Sequence, residues 1–118
     1  MDIFCRIING EIPSYTIYED EIVKVFLDVN PKSNGHCLIV TKNHFKDLDD
    51  IDLNTLNHIM EVAKKNKKIL EEKLNPNGIQ LVQNNGSLQE VKHYHLHLIP
   101  EYDENKLDIV EDIYNKLK

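Results

Sequence analysis

Only two cysteines occur in the chain, Cys5 and Cys37, too few for a disulfide framework and most simply read as reduced thiols. Arginine occurs once, at Arg6, and 14 Lys plus Arg stand against 20 Asp plus Glu, a formal net charge of -6. An acidic chain lacks the basic field that binds polymeric nucleic acid. Any phosphate-bearing ligand must then be small, held by local amides and polar side chains. No run approaches the roughly 20 apolar residues of a membrane span. The opening residues Met1-Asp2-Ile3-Phe4-Cys5-Arg6 lack the basic flank, apolar run and cleavage site of a signal peptide, so a cytoplasmic protein is expected. The four glycines and four prolines are dispersed, with no linker and no internal repeat, and residues 1–118 read as one domain. A chain of this length buries roughly two-thirds of its unfolded surface, so its stability requires neither disulfides nor a metal.

What is present is a set of short strands interrupted by one long helix. Residues 14–18 and 22–27 carry β-branched and aromatic side chains on either side of Glu19-Asp20-Glu21 and predict a hairpin. A third strand is expected at 36–41, after the turn-forming Pro31-Lys32-Ser33-Asn34-Gly35. From Leu53 to Leu74 the apolar residues recur at three and four, with Asp52 placed to cap the start and Asn75-Pro76-Asn77-Gly78 to end it. Lys64, Lys65, Lys67 and Lys68 on this helix read as a solvated face that suits the negative end of the helix dipole. Strands at 79–83 and 94–99 and a short helix over 107–117 complete the chain, giving an α+β domain with an antiparallel sheet.

Half of the six histidines fall within five residues, at His93, His95 and His97. In a strand these share one face while Tyr94, Leu96 and Leu98 take the other. On the residues alone such a row fits two chemistries: metal ligation, and phosphoryl transfer in which one imidazole attacks while its neighbours position oxygens. Phe26 and Asp28 share a strand face, offering a ring to a base and a carboxylate to ribose hydroxyls. His58 receives no role, and Arg6 reads as a surface residue.

The run His93-Tyr94-His95-Leu96-His97-Leu98-Ile99 resembles the signature of the histidine-triad (HIT) family, whose members hydrolyse or transfer nucleotides. Further matching segments, in order, are 3–14, 26–31, 35–40 with His44, and 82–86. The branch resembled is the compact bacterial-type HIT or Hint group of homodimeric purine nucleoside phosphoramidate hydrolases. That resemblance implies His95 as the nucleophile forming a covalent nucleotidyl-histidine, His97 on the phosphate oxygens, and His93 and His36 in support. It also implies that Phe4, Ile7 and Val29 line the base pocket and that Asn84 makes a phosphate-side contact. The expected ligand is a purine nucleoside monophosphate or its phosphoramidate or anhydride conjugate, with no cofactor. Dinucleoside polyphosphate hydrolysis, and nucleotide binding with little turnover, are the alternatives.

Two departures from the family pattern stand out. The loop before the triad is two residues shorter than usual, and Glu90 stands where a serine that serves the leaving group is expected; Lys92, read as a strand residue, would face away from His93. Some bacterial relatives hold zinc with an N-terminal Cys-x-x-Cys, a histidine matching His44 and one triad histidine. Here Asp2 replaces the first cysteine, so no metal site is assigned, although Asp2 remains an oxygen donor beside Cys5.

Overall fold

The computed structural model describes residues 1–118. Its elements are α1 (Ile3–Ile8), β1 (Thr16–Glu19), β2 (Val23–Leu27), β3 (Cys37–Thr41), α2 (Leu53–Leu74), β4 (Gly78–Val82), β5 (His95–Glu101) and α3 (Val110–Leu117). The five strands form one antiparallel sheet in the order β1-β2-β3-β5-β4, so the last strand inserts between β3 and β4. No helix is long and apolar enough to cross a membrane.

Alternation along the strands divides the sheet into two faces. Val23, Val25, Leu27, Cys37, Ile39, Leu96 and Leu98 face the helical layer, where Ile59, Val62, Ala63 and Leu70 of α2 and Ile113 and Leu117 of α3 join them in the main core. Burying each large aliphatic side chain there contributes on the order of 1.5–3 kcal/mol. The opposite face carries Phe26, Leu38 and Val40, packed against Phe4 and Ile7 of α1. Because Val40 pairs with His95 and Leu38 with His97, both histidines lie on this second, sparsely covered face.

The long helix has the bounds its periodicity predicts: Asp52 accepts the Thr55 N–H at 3.0 Å, and Asn75 closes it at φ 52°. Its four clustered lysines are all exposed. The C-terminal helix starts later than expected, at Val110, because Asn34 bonds the Lys106 carbonyl and the Asp108 amide and takes the backbone groups a helix over 107–109 would use. Lys92 is not a strand residue; β5 begins at His95, and Lys92 sits in the preceding bend with its Nζ on the Gly86 carbonyl. Helix α1 is an element beyond those the sequence pattern predicts; Asp2 before an apolar run is its N-cap signal, and its carboxylate accepts the Cys5 N–H at 2.8 Å. His58, given no role, bonds Asp20 at 2.6 Å and ties α2 to the β1–β2 turn.

Gly35 turns the chain into β3 at φ +88°, where a Cβ would stand 2.5 Å from Leu74 Cδ1. Left-handed backbone costs a side-chain-bearing residue roughly 1–2 kcal/mol. Gly35→Ala is therefore expected to lower unfolding stability by about that amount in urea titrations, with an unchanged m-value; an unchanged midpoint would show that the turn is not under this constraint.

Candidate active site

His95 emerges at the first position of β5, 5% exposed, and its Nδ1 lies 2.7 Å from the His93 carbonyl oxygen. A carbonyl only accepts, so Nδ1 carries the proton and Nε2 keeps its lone pair. His36 Nδ1 accepts the Lys32 N–H at 3.0 Å, which places the His36 proton on Nε2. That proton is donated to His97 Nδ1, 2.9 Å away, leaving His97 with an Nε2–H. The site thus combines one imidazole with a free lone pair and one with a free donor, their ring centroids 4.9 Å apart.

Burial keeps all three rings neutral. It lowers the proton affinity of His36 against the pull of Asp28, whose Oδ2 stands 3.6 Å from His36 Nε2. His97 is pushed down to about 4, by burial first and then by its neighbours His95 and His36. His95 is lowered by burial, while its bond to the His93 carbonyl and the charges of Asp28 and Glu90 act the other way. A neutral imidazole is the form that can attack.

His95, His97 and His36 line a cavity of about 640 Å³. Its apolar wall includes Phe4, Ile7, Phe26 and Val29, with Phe4 edge-on to His95 at 4.8 Å between centroids. Asp28 and Asn84 also line it. Every residue singled out from the sequence for nucleotide contact therefore faces one volume, of a size that suits a small ligand. His93 does not line it; fully buried before the strand begins, it meets the cavity only through the backbone oxygen that holds His95. Glu90, which stands where a serine serving the leaving group is expected, lines the cavity as well, and Lys32 and Val91 join it with no role expected from the sequence. For Lys32 the signal was its place four residues before His36, in a turn that brings its amide back onto the ring.

A second cluster lies behind the first. His93 Nε2 is 2.7 Å from the Thr41 carbonyl, so that nitrogen donates and Nδ1 keeps its lone pair, able to accept from the Cys5 thiol at 3.5 Å, with Asp2 Oδ2, a second acceptor, 3.2 Å away. His44 Nδ1 completes the group, 3.0 Å from Asp2 Oδ2 and 3.7 Å from Cys5 Sγ. Four donors of the types S, N, N and O, all within 4.8 Å of one another, have the spacing of a tetrahedral transition-metal site. The Asp2 carboxylate serves twice: Oδ1 caps α1, and Oδ2 turns to the cluster. Burial raises the Asp2 carboxyl, but the hydrogen bond from the Cys5 amide opposes it, and the carboxyl stays below its ordinary value. The Cys5 thiol is raised by burial and by Asp2.

The HIT domain model matches residues 9–104. An uncharacterised HIT-like protein of Methanocaldococcus jannaschii is 46% identical over 105 residues, 87% of this chain and 81% of that protein. An adenosine 5'-monophosphoramidase of Candida albicans is 43% identical over 110 residues, 86% of this chain and 71% of that enzyme. The crystal structure of a zinc-bound histidine triad protein of Mycobacterium smegmatis superposes with a TM-score of 0.89 at 32% identity, covering 98% of this chain and 88% of the other. The chain belongs to the HIT family, and its sheet, long helix and short C-terminal helix are those of the HIT fold.

The hydrogen bonds fix an observable pattern of tautomers. Nitrogen-15 spectra at neutral pH are expected to show His95 protonated on Nδ1 and His36 and His97 on Nε2, with imidazolium forming at His97 only near pH 4. Because these folded-state values lie below the unfolded ones, acidification loads protons onto the unfolded chain first. Stability should accordingly fall as the pH drops through the ordinary histidine range and towards 4. A cationic His97 at neutral pH would contradict the arrangement.

Proposed function

We propose that the protein hydrolyses purine nucleoside phosphoramidates at the α-phosphorus, with His95 as nucleophile. The observation that carries this reading is the His95 Nδ1–H bonded to the His93 carbonyl, which leaves a neutral Nε2 for the cavity beside the His97 donor. It is supported by the C. albicans relative, which bears the name of an adenosine 5'-monophosphoramidase.

In this reading the base enters the apolar wall of Phe4, Ile7, Phe26 and Val29, and Asp28 accepts hydrogen bonds from ribose hydroxyls. Asn84 and the His97 Nε2–H meet the phosphate oxygens, where negative charge builds up during attack. His95 Nε2 forms a bond to phosphorus as the P–N bond breaks. The electron pair goes to the amine nitrogen, which takes a proton from solvent, and the amine leaves. Water then attacks the nucleotidyl-histidine, His95 departs with its electron pair, and the nucleoside monophosphate and a proton are released.

We also infer that Asp2, Cys5, His44 and His93 hold a zinc ion, because the donor set and its spacing fit that metal. Its contribution is structural: the ion would join α1, the segment carrying His44 and the bend before β5. A homodimer belongs to the same reading, on the strength of the family resemblance; exposed apolar side chains such as Leu81 on the edge strand β4 are available to an interface. A cytoplasmic placement belongs to the same reading.

Two experiments test these proposals. Purified protein mixed with adenosine 5'-phosphoramidate is expected to release AMP, and His95→Ala to lose at least about a thousandfold in rate. The acid limb of the single-turnover rate should lie below the ordinary histidine range, since burial depresses the nucleophile's proton affinity. Folded protein that releases no AMP would sink the assignment. Native mass spectrometry is expected to find a dimer with one zinc per chain, and Asp2→Ala to lose the metal; a monomer, or a metal-free protein after growth with zinc, would refute the corresponding inference.

A further inference from the structure

Two carboxylates line the cavity, Asp28 and Glu90, and the strand register puts them on opposite sides of the nucleophile. Leu38 pairs with His97 and Val40 with His95, so moving along β3 from Cys37 towards Thr41 passes His97 first and His95 second. Asp28 follows β2 at the Cys37 end and stands 3.6 Å from His36. Glu90 belongs to the segment that enters β5 from beyond His95, at the Thr41 end. Lys32 lies on the Asp28 side, where its backbone N–H meets His36.

Glu90 is also uncompensated. It is exposed, and the Lys–Glu ion pairs lie elsewhere, at Lys42–Glu19 and Lys67–Glu71. Lys92, two residues on, directs its Nζ to the Gly86 carbonyl instead. One end of the cavity therefore has Asp28 with the His36–His97 pair and Lys32, and the other has a carboxylate with no cation of its own.

In-line displacement at phosphorus sends the leaving group to the side opposite the attacking nitrogen. The nucleoside oxygen then lies across that axis, and with the nucleoside filling the Asp28 and Phe26 end, the part of the cavity left for the chain of the leaving group is the end lined by Glu90. We propose that Glu90 forms a leaving-group subsite selecting phosphoramidates of amines that carry a second, positively charged amino group, and disfavouring leaving groups that are anionic. The proposal rests on the phosphoramidase reading and names its substrate class. The chemistry is complementary: an ammonium group gains a carboxylate partner, whereas a carboxylate or phosphate meets like charge.

The test uses three adenosine 5'-phosphoramidates, of 1,3-diaminopropane, propylamine and β-alanine, whose leaving groups are cationic, neutral and anionic. Wild-type protein is expected to prefer the cationic over the anionic conjugate by about tenfold in kcat/KM at low salt, with the ratio shrinking as salt is added. Glu90→Gln should bring the ratio to about one, and Glu90→Lys should invert it. Equal rates on all three conjugates in the wild type, or an unchanged ratio in Glu90→Gln, would overturn the proposal. If wild-type protein releases AMP from none of them, the phosphoramidase reading fails. Calorimetric affinities of the same intact conjugates then decide the role of Glu90 separately: the same charge order, abolished in Glu90→Gln, upholds it, and no charge order or no binding refutes it.

Discussion

The hydrogen bond from His95 Nδ1–H to the His93 carbonyl, at 2.7 Å, is the interaction on which the cavity's chemistry depends. An imidazole has one proton to place when neutral, and a carbonyl partner decides where it goes. Were His95 to carry the proton on Nε2, the cavity would hold two donors and no nucleophile. The bond is only as firm as the bend that supplies its oxygen. That bend is anchored by the His93 ring, which is fully buried, its Nε2–H held by the Thr41 carbonyl and its Nδ1 able to accept from the Cys5 thiol. Phe4 adds an edge contact to both His93 and His95, so α1 braces the supporting histidine and the attacking one together.

The same tightness sets the charge state. Asp28 lies close enough to the three cavity imidazoles to favour their cations, yet burial outweighs it at each of them. Packing works in the same direction, because a proton added to His97 would face His95 and His36. The consequence is a site that meets phosphate oxygens with an oriented N–H dipole rather than a full positive charge. A cation would bind a free anion more strongly, but it would do so equally in the ground state, and such uniform binding does not accelerate the reaction.

Much of this was legible in the residue order, for a specific reason. A period of two along a strand, and of three and four along a helix, encodes which side chains share a face. His95 and His97 opposite Leu96 and Leu98, and α2 from Leu53 to Leu74, follow from that alone. His93 shows where the period stops being a guide. Alternation put it in the strand, but the chain bends before His95, and the ring turns inward to the Thr41 carbonyl. The late start of α3 has a similar origin: Asn34, more than seventy residues away, competes for the backbone of 106–108. Contacts between distant segments leave no local periodicity to read, and α1, with six residues, is too short to establish one.

Asp2 shows how a replacement that removes a familiar pattern can preserve its geometry. A cysteine has one donor atom, whereas a carboxylate has two oxygens pointing in different directions. Oδ1 takes the amide of Cys5 and starts α1, and Oδ2 stands 3.0 Å from His44 and 3.2 Å from His93. The helix start and the cluster thus share one side chain, and the turn that Oδ1 stabilises is the turn that delivers Cys5 to the same cluster. Loss of the carboxylate would release both at once. With them would go the placement of the Cys5 thiol against His93, whose carbonyl sets the proton of His95.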